Sequence, residues 1–496
     1  MNRRQAMLGL VAGASRAQST LAQSTRAQPT RPAKRPNVLF ILTDDHPVSA
    51  LGCYGNRILK TPNMDRIAAE GFRFTNAFVT NSLCAPSRAS ILTGTYSHVN
   101  GIFGNSETTP EYMTRGLSTY PELLKQSGYR TAVIGKWHLS DEPKGFDYSC
   151  VLPGQGVYND PVFFENGRKT TVPGYVTDII TEKSLEWLKA APRDEPFCLL
   201  YHHKGPHRPF TPPPRHQKMF ADIQLPHPRT YHDNYATRHI AQQAEDMRFE
   251  ISLAPDYADL PQGLNAEQRR EWIFQRFVKD HWRTTHAIDE GIGRVLDYLD
   301  REKLAQDTIV IYTSDNGFYL GERGWYDKRF MYEPSLRVPL MIRYPKLGVR
   351  GRVENRMALN IDHAPTILDL CGGRMPAGMQ GTSLRPLLER KRTEWRTSML
   401  YTYYENSWAQ RKAAGFDPSK PALDRYGTSH RIPPHRGVRT ERHKLIEYYG
   451  EGDYWECFDL VKDPDEQRNV YNDAAYAGVV KSLKDELARL RTQYGN

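Results

Sequence analysis

Short, unbroken apolar runs recur along the chain, each ending abruptly in charged or amide residues. The first, at positions 38–42 of NVLFILTDD, stops at Asp44-Asp45. Others are TAVIG (131–135), FCLLY (197–201), TIVIYTSDNG (308–317) and VPLMIRY (338–344). Runs this short with no polar alternation predict strands buried on both faces, the habit of parallel sheets. Helical patterns lie between them. STYPELLKQSGY offers Ser118 as a cap and Gly128 as a stop. THAIDEGIGRVLDYLDREKL puts Ile288, Ile292, Val295, Leu296 and Leu299 on one face at helical spacing. Strands alternating with helices predict an α/β fold, a doubly wound sheet flanked by helices, with ligands bound beyond the strand carboxyl ends. RPFTPPPRHQ predicts a loop leading into an irregular, polar insertion up to about residue 265. From about residue 395 the pattern changes to short aromatic strands, SMLYTYY, HKLIEYY and WECFDL, and a terminal helix around VVKSLKDELARLRTQY. The expected plan is a leader and linker over 1–35, a large α/β domain over 36–394 and a smaller α+β domain over 395–496.

Composition narrows the class. The 496 residues are 39% hydrophobic and 25% charged, and no apolar run reaches 18 residues, so a globular protein without a membrane span is expected. The six cysteines, at 53, 84, 150, 198, 371 and 457, form no CxxC pair and no zinc or disulfide spacing. The net charge of +10 is misleading, because residues 1–35 carry seven Lys/Arg and no acid, and without them +3 remains. A nucleic-acid partner is therefore not expected, while a local basic cleft stays open. The leader MNRRQAMLGLVAGAS places a twin arginine before a short apolar run and small residues. It resembles a bacterial twin-arginine export signal, which predicts an exported protein, periplasmic or secreted.

The candidate chemistry clusters at the predicted strand ends. Asp44-Asp45 and Asp315-Asn316, about 270 positions apart, supply hard oxygen donors suited to Ca²⁺ or Mg²⁺. Gly135-Lys136-Trp137-His138 adds a cation and a titratable imidazole. The stretch 201–209, YHHKGPHRP, gathers five potentially cationic groups, among them His203 and His207. Lys328 has nothing local to distinguish it from Arg329. Each motif alone is an ordinary strand end, turn or solvated loop. Acids for a metal and bases for an anion at the ends of one sheet suit an ester of a compact, multiply charged oxyanion.

In NSLCAPSRASILTG, Cys84-Ala85-Pro86-Ser87-Arg88 matches the C-x-P-S-R signature of the formylglycine-dependent sulfatase family. The likeness runs from Asn37 to about Tyr471, through TPNMDRIAAEGFRFTNAF, GYRTAVIGKWHL, DHAPTILDLCG and GVRTERHKLI. The resemblance implies an alkaline-phosphatase-like fold with a doubly wound mixed sheet, and a Cys84 oxidised to formylglycine by a maturation enzyme. It implies one calcium ion on Asp44, Asp45, Asp315, Asn316 and the modified Cys84. Arg88 would steady the hydrated aldehyde, Lys136, His207 and Lys328 would hold the sulfate, and His138 would deprotonate the diol. One diol hydroxyl would attack sulfur, and the other would let sulfate leave. GKWHLSDEPKGFD, YHHKGPHRPFTPPPRH, WYDKRFMYEPSLRVPLMIRYP and SHRIPPHRGVRTERHKLI look most like bacterial carbohydrate sulfatases of the N-acetylglucosamine-6-sulfatase type. Those act on sulfated glycosaminoglycan or mucin glycans. In that comparison His203, Trp408, His430 and His435 are candidate sugar contacts, although an apparent insertion around 406–435 departs from the pattern. Another sugar regiospecificity, a phosphonate or phosphodiester hydrolase, and a non-catalytic glycan-binding protein of the same fold stay open as alternatives.

Overall fold

The computed structural model describes residues 35–105, 116–139, 142–243, 247–405, 432–449 and 454–496. In chain order its strands are β1 Asn37–Thr43, β2 Phe72–Phe74, β3 Ala77–Phe78, β4 Arg130–Lys136, β5 Tyr148–Leu152, β6 Val162–Glu165, β7 Arg168–Thr171 and β8 Phe197–His202. They continue with β9 Thr308–Ser314, β10 Leu340–Arg343, β11 Arg352–Glu354, β12 Ala358–Leu359, β13 Ser398–Tyr403, β14 His435–Thr440, β15 His443–Tyr448 and β16 Tyr454–Asp459. A ten-stranded sheet runs β11-β2-β10-β9-β1-β8-β4-β5-β6-β7. Its middle, β9-β1-β8-β4-β5, is parallel. β3 and β12 form a short pair beside it.

The continuous apolar runs are explained by two cores. Val38, Phe40 and Leu42 of β1 face one, and Leu39 and Ile41 face the other. Ile309 and Ile311 of β9 split from Val310 and Tyr312 in the same way. A strand covered on both faces needs no polar alternation. Helices Pro62–Ala69, Val176–Ala190 and Ala266–Arg301 cover the second face, the last burying Ile288, Ile292, Val295, Leu296 and Leu299 as the spacing predicts. That helix is much longer than its apolar stripe. It begins at Ala266, capped by Asn265 with Gln268 in a reciprocal box, where the irregular insertion was expected to end.

Two details of the sequence reading are corrected and three strands are added. β10 pairs antiparallel with β9, because the chain returns through a loop and the four-residue helix Glu333–Leu336 rather than through a long crossover. The helix Tyr120–Gln126 is capped by Thr119, not Ser118, since Thr119 and Glu122 satisfy each other's backbone. Strands β5, β6 and β7 were not read from the sequence.

β13-β14-β15-β16 form a separate antiparallel sheet. The terminal helix Ala477–Tyr494 lays Val480, Leu483, Leu487 and Leu490 into the same large core as Met399, Leu400, Val438 and Leu445. That core also takes in Val38, Phe40 and Leu42, and residues 35–496 form one compact unit. Among the described residues, no helix is long and apolar enough to cross a membrane.

Candidate active site

Parallel strands all end on one edge, so register decides which residues meet. Thr43 pairs with Ser314 and Leu42 with His202, while Gly135 pairs with that same His202. The residues that follow, Asp44-Asp45, Asp315-Asn316, Lys136 to His138 and His203 onward, are therefore brought to one place. Gly135 is what lets β4 and β8 approach: its φ is +112°, and a Cβ there would lie 1.7 Å from the His202 carbonyl oxygen.

Cys84 is the first residue of the helix Cys84–Thr93, all ten residues of which are buried. Its Sγ donates to Asp44 Oδ1 at 3.3 Å. One oxygen from each of Asp44, Asp45 and Asp315, together with Sγ, lie within 4.8 Å of one another. Asn316 Nδ2 donates to Asp45 Oδ1 at 2.6 Å, and the Asp45 amide to Asp315 Oδ1 at 3.3 Å. The Asn316 Oδ1 is buried with no hydrogen-bond partner. Three carboxylates and one uncommitted amide oxygen make an oxygen-rich donor set that fits a hard divalent cation.

Basic groups ring these acids. Lys136 Nζ contacts Asp44 Oδ2 and Gln155 Oε1. Lys328 Nζ is 2.5 Å from Asp45 Oδ1, and His207 Nε2 is 3.7 Å from Asp45 Oδ2. Arg88 binds Asp315 Oδ2 through Nε at 2.8 Å and the Lys136 carbonyl through Nη1 at 2.5 Å, leaving Nη2 buried without a partner. His138 is buried, has φ +59°, and among the described residues neither ring nitrogen has a hydrogen-bond partner. Asp45 (φ +62°), Asp327 (φ +76°) and Arg329 (φ +91°) are also held in the left-handed region. Strained backbone of this kind, about 1–3 kcal/mol per residue, persists where the surroundings over-determine it.

The electrostatics divide the carboxylates. Burial pushes Asp45 up to about 6, Asp44 and Asp327 adding to it and Lys328 opposing. Burial and then Asp44 push Asp315 up to about 7. Asp44 suffers the same burial, yet Lys136, His207, Arg88 and Lys328 together hold it well below the usual range. Burial, with Lys136 and Arg88, holds His138 well below an ordinary histidine, so its imidazole is neutral at pH 7. Burial, then Asp44, raises the Cys84 thiol far above its ordinary value.

All the expected metal and catalytic candidates thus converge. Of the expected sugar contacts, His203 meets the Tyr201 ring edge-on at 4.3 Å, fully buried, its ring nitrogens without hydrogen-bond partners among the described residues. His435 begins β14 and is walled in by Tyr401, Tyr403, Tyr448 and Phe330, its Nδ1 3.0 Å from the Pro433 carbonyl. Trp408 and His430 lie outside the described residues. The sequence reading missed Gln155 and Tyr158, which follow β5, and did not single out Lys204. The apolar end of YSCVLPGQG was the available signal for the first two.

A family model described as Sulfatase matches residues 36–373, and one described as N-sulphoglucosamine sulphohydrolase, C-terminal, matches 423–493. An N-acetylglucosamine-6-O-sulfatase of Bacteroides thetaiotaomicron is 40% identical over 93% of this chain and 87% of its own length. The N-acetylglucosamine-6-sulfatase of Homo sapiens is 29% identical over 88% of this chain and 81% of its own. The solved structure of BT4656 in complex with its substrate, D-glucosamine-2-N,6-O-disulfate, superposes with a TM-score of 0.82 at 38% identity. It covers 93% of this chain and 98% of that one.

Proposed function

This chain belongs to the sulfatase family and hydrolyses sulfate esters, and from that premise we propose that its substrate is 6-O-sulfated N-acetylglucosamine in glycosaminoglycan or mucin glycans. The same reading has Cys84 oxidised to formylglycine by a maturation enzyme, one calcium ion on Asp44, Asp45, Asp315, Asn316 and the modified Cys84, and export under the twin-arginine leader. The observation that carries it is the meeting of Cys84, three carboxylates and Asn316 inside a ring of Lys136, Lys328, His207 and Arg88. Identity of 40% to an N-acetylglucosamine-6-O-sulfatase supports the sugar and its position.

The hydrated aldehyde would supply a hydroxyl nucleophile with a second hydroxyl for expelling sulfate, and a calcium ion held by Asp44, Asp45, Asp315 and Asn316 would supply positive charge to the site. As a thiol, Cys84 would stay protonated at neutral pH and be a weak nucleophile, which favours the oxidised form. His138 is neutral with both nitrogens uncommitted, as a proton acceptor next to the nucleophile must be. Lys136, Lys328 and His207 place cationic or hydrogen-bonding groups where negative charge grows on the sulfuryl oxygens. Arg88, fixed by Asp315 and a carbonyl, keeps one donor for the nucleophile's oxygen. Trp408, His430 and His203 are retained as candidate sugar contacts. The aromatic enclosure of His435 suits a supporting role in the second sheet rather than a direct sugar contact.

The test is free sulfate released by matured protein from a panel of defined sulfated mono- and oligosaccharides. Preferential release from 6-O-sulfated N-acetylglucosamine is expected. Preferential release from another position, or from phosphonate esters, would overturn the substrate assignment.

A further inference from the structure

Lys204 follows β8 and is 1% exposed. Its ammonium lies 4.8 Å above the Tyr158 ring centre and 3.5 Å from the Arg208 carbonyl oxygen. Among the described residues it forms no ion pair, whereas the other three buried lysines, Lys136, Lys328 and Lys444, each hold a carboxylate. A buried ammonium with one long hydrogen bond and one aromatic face is poorly compensated for its lost hydration. Tyr158 is itself tied to the site, because its hydroxyl donates to the His207 carbonyl at 2.5 Å. The next carbonyl but one along the loop from His207, that of Gly205, accepts from the Asp44 amide at 3.2 Å. Burial, with Lys136 adding to it, pulls the ammonium down to about 7, and the charges that oppose this are Asp44, Asp45 and Cys84. Those are the groups around the nucleophile, so the Lys204 ammonium lies within electrostatic reach of the site's acids.

We propose that Lys204 is a further substrate-binding residue of this site, whose ammonium finds its counter-ion in the sulfate of the entering ester. The inference rests on the sulfatase reading above. It adds a cation that, unlike Lys136 and Lys328, has no carboxylate to leave. In the empty site the Lys204 amine has no acid partner among the described residues, and the entering oxyanion supplies one and favours its charged form. Stability is given up in the empty site and recovered on binding, which distinguishes this lysine from one that holds the fold together.

The experiment compares full-length, matured wild type with Lys204→Met and Lys204→Gln, and with Lys481→Met on the exposed face of the terminal helix as a control. Inorganic sulfate is the probe. In both Lys204 variants sulfate is expected to inhibit at least about tenfold more weakly, and kcat/KM to fall about a hundredfold, as for loss of a charge-assisted contact. The melting temperature without sulfate is expected to stay level or rise, and the rise that sulfate gives the wild type is expected to shrink. Unchanged sulfate inhibition would overturn the proposal. So would a large loss of stability, or failure of both variants to fold, since either would make Lys204 a structural group. A wild type that neither binds nor releases sulfate would instead strike the functional reading itself.

Discussion

Two buried charge clusters in this molecule have opposite characters. Against the second sheet, Lys444 is fully buried and holds both Glu466, at 2.5 Å, and Glu333, at 3.1 Å. Glu333 also takes Arg439, and nearby Arg323 and Arg238 share Asp233. Despite its burial Glu333 is held far below an ordinary carboxyl by Lys444 and Arg439. At the end of the parallel strands the pairing is incomplete. Asp45 and Asp315 are pushed up, while among the described residues Asn316 Oδ1 and Arg88 Nη2 have no hydrogen-bond partner and Lys204 has no acid. In the first cluster each of these charged groups meets an opposite charge, and the cluster ties the second sheet to the first. The second is arranged for groups that arrive from outside, a cation and an oxyanion, at some cost in stability.

The sharpest way to break this contrast is at the nucleophile. Cys84→Ser is expected to fold with a melting temperature near that of the wild type and to lose multiple turnover by on the order of a thousandfold or more, because a sulfated serine has no second hydroxyl. Steady-state sulfate release checks it, and normal turnover would sink the aldehyde route. At the closed cluster the expected outcome is reversed. Lys444→Met should destabilise by about 3–5 kcal/mol, since it leaves Glu333 and Glu466 buried without their lysine, while folded molecules keep their kcat. Denaturant unfolding read beside activity separates the two. A mild effect on stability would mean that the cluster is less tightly coupled than its distances suggest.

Smaller effects sharpen the picture. Asn316→Ala removes one neutral oxygen donor and is expected to weaken calcium binding roughly tenfold, by analogy with the loss of a partner group at metal sites, measured by titration calorimetry. Calcium affinity should also depend on pH. Asp45 and Asp315, raised to about 6 and about 7, must lose their protons before they can bind a cation. The rise in melting temperature given by calcium is therefore expected to grow from pH 5.5 to pH 8. A constant rise would contradict the raised carboxyls. In the metal-free protein the same two groups act in the other direction. Their folded values lie above the unfolded one, so the stability they contribute is present at low pH and is lost as pH rises through about 6 to 7.

Much of the site was legible because its chemistry is tied to strand ends. Asp44-Asp45, Lys136, His138 and Asp315-Asn316 each follow an apolar run, and a parallel sheet collects whatever follows its runs. The C-x-P-S-R signature drew in Cys84 and Arg88, and the family resemblance drew in Lys328, which has no local mark. Gln155 and Tyr158 were missed because β5 is short and its register against β4 is a long-range fact. Lys204 was hidden among four other potentially cationic residues. The structure shows that Lys204, unlike the other buried lysines, has no acid among the described residues. The antiparallel β10 could not be told from a parallel strand by composition, because both faces of either are covered. The capping residue was misplaced by one position because Ser118 and Thr119 are both good caps, and it is Glu122 that selects Thr119.

The most direct test is sulfate release from 6-O-sulfated N-acetylglucosamine by the matured chain, measured as isolated, after chelation and after calcium is returned. The account expects turnover to vanish on chelation and to recover with calcium, and expects an unmatured thiol preparation to stay inactive throughout. Full turnover by the chelated protein, or by the thiol form, would contradict it.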